Sequence, residues 1–157
     1  MGAVFFYHLT RTPIEATLPT LLDKALGAGW RIDVRGQDAV RMQWLDEKLW
    51  LGPEERFMPH GLVGGAFDEE QPILLTHTET LRDNASCLMA VDGAHVSAVE
   101  VQKLDRTCIL FDGNDLAAVQ TARAQWKTLT DEDCEAEYWS QESGAWRKKA
   151  SANQTSA

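Results

Sequence analysis

Arg123, Trp126 and Lys127 form the most suggestive chemical set in the sequence. Arg123 and Lys127 stand four residues apart and Trp126 follows Arg123 by three, so on a helix they share or border one face. Two cations beside an indole suit an acidic peptide with an apolar end: the guanidinium takes a carboxylate and the ring takes a side chain. The spacing fits equally an ordinary helix with Trp126 in the core and two solubilising charges. A second set, Trp50 and Phe57, flanks the Gly52-Pro53 break. Connecting loops rarely carry large aromatics, because buried loop backbone leaves polar groups unpaired. Such residues either plug the core or form a docking surface.

Catalytic chemistry has weaker support. His8, His60, His77 and His95 are scattered, with no i, i+4 pair and no ligand spacing to cysteine, so no metal site is expected. His8 and His77 fall at the ends of apolar runs, where α/β enzymes place reacting groups. No G-x-S-x-G or comparable nucleophile motif accompanies them. Glu54-Glu55, Asp68-Glu69-Glu70 and Asp131-Glu132-Asp133 are acidic clusters that read as solvated turns and helix starts. The G-x-G of Gly27-Ala28-Gly29 follows a helix instead of preceding one, so it cannot set a helix N-terminus against phosphate. No cofactor is expected. Cys87, Cys108 and Cys134 are far apart and odd in number, which points to small core residues and not to disulfides.

The elements that would position these groups alternate between short apolar runs and helical stripes. Residues 3–9 read as a buried first strand, followed by a Thr12-Pro13-x-Glu15 helix start. Leu18, Leu21, Leu22 and Ala25 continue that helix, which Pro19 would kink or delay and the glycines end. Residues 30–34 read as a strand and 37–50 as a helix. Further strands are expected over 73–77, 87–91 and 107–111, with a short helix over 96–104. The longest helix begins after Asn114-Asp115, runs to about residue 128, and is expected to continue past a kink towards Tyr138. Residues 139–146 read as a terminal strand or loop. Strand–helix alternation predicts an α/β fold: three layers, a mostly parallel sheet and helices on both faces. One domain is expected over residues 1–147, with 148–157 as a disordered polar tail.

Composition narrows the function. The chain has 157 residues, 44% hydrophobic and 25% charged, and a net charge of −9. That charge opposes direct nucleic-acid binding, which relies on a basic face and counterion release. No apolar run approaches the ~18–20 residues that span a bilayer. Residues 1–8 lack a basic leader, so a cytoplasmic, non-membrane protein is expected.

Several of these segments together resemble the chi subunit of bacterial DNA polymerase III. They are Leu45-Asp46-Glu47-Lys48-Leu49-Trp50 followed by Phe57-Met58-Pro59-His60-Gly61-Leu62, then Gln71–Thr76, Leu110-Phe111-Asp112-Gly113, Ala122–Lys127 and Trp146-Arg147. The resemblance covers most of the chain; 96–106 and 131–136 depart from it. It implies a nucleotide-binding-like fold without a phosphate loop. It implies an accessory subunit with no intrinsic activity, classed with DNA-directed DNA polymerase only by association. It implies two partners: the clamp loader's psi subunit, and the acidic C-terminal tail of single-stranded DNA-binding protein, whose last residue is Phe. DNA would be reached only indirectly, and the free chain would be a monomer. By match to the family's pattern, Trp50, Phe57, Phe111, Arg123, Trp126 and Lys127 would form the tail pocket. The alternative from another class is a small α/β nucleotide-binding protein or hydrolase using His8, His77 or an acidic cluster.

Overall fold

Apolar residues alternate with helical stripes along the chain, and the computed structural model converts this pattern into a sheet between two helical layers. It describes residues 2–50, 60–141 and 145–153. Among them the order is β1 (Ala3–Leu9), α1 (Ile14–Gly27), β2 (Ile32–Arg35), α2 (Ala39–Trp50), β3 (His60–Leu62), β4 (Ile73–Thr76), β5 (Cys87–Ala90), α3 (Ala98–Lys103), β6 (Arg106–Asp112), α4 (Leu116–Asp131), β7 (Glu135–Ser140) and β8 (Arg147–Ala152). The strands form one sheet in the order β3-β4-β2-β5-β6-β1-β7-β8. Every pair is parallel except β7 with β8.

Parallel strands need helical crossovers, and here the crossovers divide between the faces. Leu18 and Leu22 of α1 and Met42, Leu45 and Leu49 of α2 bury with Ile32, Val34 and Leu110 on the first face. Val101 of α3 and Val119, Ala122 and Leu129 of α4 bury with Val4, Phe6 and Ile109 on the second. Thus α1, which follows β1, and α4, which follows β6, leave neighbouring strands for opposite sides.

The second face of β2 carries charge instead of hydrocarbon. Asp33 accepts from Arg82 Nε at 2.5 Å, and Arg35 Nη2 meets Glu100 Oε2 at 2.6 Å. Arg82 also donates to the carbonyls of Ile32, Asp68 and Gln71, and Arg35 to those of Glu79 and His95. Each buried guanidinium therefore ties a connecting segment to the sheet. Glu100 also closes a capping box with Ser97 at the start of α3. Burial alone would raise its carboxyl, but hydrogen bonds from Arg35 and Ser97 outweigh it and hold the group below the usual carboxylate range.

Four expectations change. The helix α4 does not run on towards Tyr138: it ends at Asp131, and Asp133 takes a left-handed φ of 67°. The amides of Glu132, Asp133 and Cys134 turn back onto the last helical carbonyls. Asp131-Glu132-Asp133 is therefore a helix exit and not a new cap. Residues 148–152, expected in a disordered tail, lie in β8, which supplies the antiparallel edge beside β7. The short strand β3 arises from the stretch after the Gly-Pro break, where only irregular chain was expected. The first helix begins one residue later than its Thr12 signal: Pro13 is the cap, and the Thr12 hydroxyl meets Thr17 instead.

Candidate functional site

The set Arg123, Trp126 and Lys127 lies on α4. Asp115 starts this helix by accepting the Ala117 amide at 3.0 Å, and Val119, Ala122 and Leu129 bury its inner stripe. Trp126 lies beside that stripe and is half-buried, its ring meeting Phe6 edge-on at 5.3 Å and Tyr138 at 5.9 Å. Arg123 and Lys127 are exposed. Lys127 Nζ reaches Asp131 one turn on at 3.0 Å. Among the described residues Arg123 has no carboxylate partner, so its guanidinium is available to an incoming acid. The core reading of Trp126 holds for the edge packed on Phe6 and Tyr138, and the rest of the indole stays open.

Phe111 is 5% exposed and sits beneath this surface. Its ring lies 5.0 Å from His8 and 6.0 Å from Tyr138. Tyr138 therefore links Phe111 to Trp126 in one aromatic layer. The Tyr138 hydroxyl and His8 Nδ1 are 2.7 Å apart. Gly113 packs so closely on the His8 ring that a Cβ there would overlap it. His8 is thus fixed by three neighbours. Tyr138 was missed in the sequence because residues 131–138 read as helix; the alternation Glu135-Ala136-Glu137-Tyr138 carries the strand signal.

Trp50 does not join this group. It ends α2, a helix of the first face, and its ring stacks 4.2 Å from His60 on edge strand β3. His60 Nε2 also lies 3.1 Å from Asp46 Oδ1. Five strand spacings separate β3 from β1, about 24 Å at the usual ~4.8 Å per strand. A pocket combining Trp50 with Arg123, Trp126 and Lys127 is therefore not what the sheet builds. Trp50 is 54% exposed and marks a separate surface. Phe57 lies outside the described residues, as do Glu54 and Glu55.

The place where α/β proteins usually bind small ligands is also present. A cavity of about 910 Å³ opens at the carboxyl ends of β1 and β6, where the two connections diverge. Its phosphate-binding devices are taken by the chain itself. The consecutive amides of Thr10, Arg11 and Thr12 converge on Gln141 Oε1 at 2.9, 2.8 and 3.0 Å. Asp115 occupies the start of α4. Asp92 and Asp112 add further carboxylates to the lining. A phosphate there would meet spent amides and more carboxylates than cations, the lining holding Glu15, Asp92, Asp112 and Asp115 against Arg11 and Arg41, the latter already paired with Asp92.

The remaining candidates do not converge. His8 ends β1 and His77 follows β4, four strand spacings or about 19 Å apart. Asp68 accepts the amides of Gly64 and Gly65 within its own turn. No group of three metal-binding side chains occurs among the described residues. All three cysteines are buried and free. The Cys87 thiol is pushed up by its hydrogen bond with Cys108 and by burial, which keeps it unreactive. No described helix is long and apolar enough to cross a membrane.

Among curated proteins no individual sequence matches the chain. The sequence profile of the family described as DNA polymerase III chi subunit, HolC, matches residues 1–137 and so covers every element from β1 through α4 and the first half of β7. With that match over most of its length, the chain belongs to the DNA polymerase III chi subunit family and is an accessory component of that polymerase.

Proposed function

We propose that this chain holds the acidic C-terminal tail of single-stranded DNA-binding protein on α4 and so links that protein to the polymerase holoenzyme. The observation that carries the reading is the exposed pair Arg123 and Lys127 around half-buried Trp126 on a protein of net charge −9. The tail's terminal Phe packs on the Trp126 edge, above the layer of Phe111 and Tyr138. Its carboxylates meet Arg123, and Lys127 after it releases Asp131. That release is cheap, since an exposed i, i+4 pair contributes only ~0.3–0.5 kcal/mol. The role is adaptor, with no chemistry of its own, in the cytoplasm, reaching DNA through its partner.

A linker needs a second surface. The exposed Trp50 stacked on His60, on the other face and at the far edge of the sheet, supports a separate site for the psi subunit of the clamp loader. Two partners on opposite sides can then be bound at once.

The test is binding of the purified chain to single-stranded DNA-binding protein with and without its last tail residues. Capture of the intact protein and loss with the truncated one is the expected result. Equal capture of both overturns the reading.

A further inference from the structure

The first face of the sheet is only partly covered. The helices α1 and α2 pack over β6, β2, β4 and β3. Beyond them β1 and β7 present a groove of about 630 Å³ beside α1. Aromatic rings line it from several elements: Phe5 and Tyr7 from β1, Trp139 from β7, Trp146 before β8, and Trp30 at the far end. Strand alternation accounts for this grouping. Phe6 points into the second face, so Phe5 and Tyr7 point into the first, and Trp139 stands in register with Tyr7. Trp146 lies edge-on to Tyr7 at 5.4 Å and is 37% exposed.

Cations border these rings. The Arg106 guanidinium lies 3.9 Å over Phe5 and 5.4 Å from Trp30, and Lys24 of α1 lines the wall. Lys148 is paired with Trp139 across β7 and β8, so it stands on the same face of the exposed edge strand, while Arg147, paired with Ser140, stands on the other. Glu137 also shares this face, where it accepts the Trp139 indole N–H at 3.0 Å.

We infer that this groove is a weak docking surface for single-stranded nucleic acid, with bases against the aromatic rings and phosphates along Lys24, Arg106 and Lys148. Aromatic platforms bordered by cations bind single strands without reading sequence, because every base has a π face. The cations extend past the cavity to Lys148 on β8, which suits a phosphate chain more than one nucleotide. The turn that would hold a mononucleotide's phosphates is already filled by Gln141. Glu137 and the net charge of −9 keep the affinity low in the free chain. The surface gains weight once another contact holds the chain near DNA.

The experiment titrates the full chain into a labelled short oligothymidylate and follows anisotropy at low and physiological salt. Binding at low salt is expected, weakening with a logarithmic slope of about −2, as for two or three engaged phosphates at ~0.7 each. Trp146→Ala and Lys148→Glu should each weaken it roughly tenfold, while Trp139→Phe, which keeps a ring, should weaken it less. Arg123→Ala should leave it unchanged, which separates this surface from the proposed peptide site. Thymidine monophosphate should compete poorly. Absence of low-salt binding overturns the inference, as does insensitivity to both groove variants. Competition by the monophosphate at equal strength would make the groove a nucleotide pocket and overturn it as well. Displacement by an acidic peptide ending in Phe would make it a second peptide site, with the same consequence.

Discussion

Trp126, Arg123 and Lys127 contribute different kinds of energy, so their substitutions should separate. A desolvated aromatic anchor is often worth ~2 kcal/mol or more in an interface, and a rim charge much less. Trp126→Ala should therefore weaken tail binding about 30-fold or more at any salt. Lys127→Ala should weaken it only a few-fold, mainly at low ionic strength, because exposed charges are screened and Lys127 already has Asp131. Trp50→Ala should leave it unchanged, since Trp50 stacks on His60 at the opposite edge. Calorimetric titration with a tail peptide at two salt concentrations reads all three. The α4 residues were legible in sequence because helical spacing fixes which side chains share a face. Grouping Trp50 with them failed because a single sequence does not say on which side of the sheet each crossover runs. Tyr138 was hidden for a local reason: Asp133 adopts a left-handed turn that no glycine announces.

At the scale of elements, β1, β2, β4, β5 and β6 and the helices between them followed from periodicity, and β3, β7 and the connections did not. Asp33 and Arg35 alternate with Ile32 and Val34 in a strand buried along its whole length, and their partners Arg82 and Glu100 lie far away in sequence. Charge in a central strand can be seen in the sequence; its partner cannot. The Arg35–Glu100 contact makes a pH prediction. Glu100 is held below its ordinary range in the folded protein, so its contribution is present above the unfolded value of about 4.3 and is lost as pH falls through the folded value. The stability gap between the protein and Glu100→Gln should be widest near neutrality and narrow below about pH 4.3, as melting temperatures across pH would show. A gap that stays constant with pH would assign Glu100 a packing role only. Gln141 carries the second prediction. Its Oε1 takes three successive amides, and Gln141→Ala would leave them without a protein acceptor. A loss of about 1–3 kcal/mol in denaturant unfolding is expected. Gln141→Glu, which retains acceptor oxygens, should lose less.

Across the whole molecule, a fold associated with nucleotide binding has its phosphate turn filled by its own Gln141 and carries its exposed aromatic and cationic surfaces elsewhere. The second face carries α4 with its cations, the β3 edge carries Trp50, and the first face beyond α1 carries the aromatic groove. On the function proposed above, this separation leaves one side for a subunit of the polymerase and another for the peptide. The sequence showed the composition of these surfaces but not their separation, which depends on strand order β3-β4-β2-β5-β6-β1-β7-β8 and on β8, a strand made from residues that looked like a polar tail. The central claim is that the tail of single-stranded DNA-binding protein is held on α4. Fluorescence anisotropy of a labelled tail peptide, titrated with the protein and with the double variant Arg123→Ala, Trp126→Ala, tests it most directly. Saturable binding by the protein and its near-complete loss in the folded double variant is the predicted result. Unchanged affinity in a double variant that retains its circular dichroism spectrum would contradict the account.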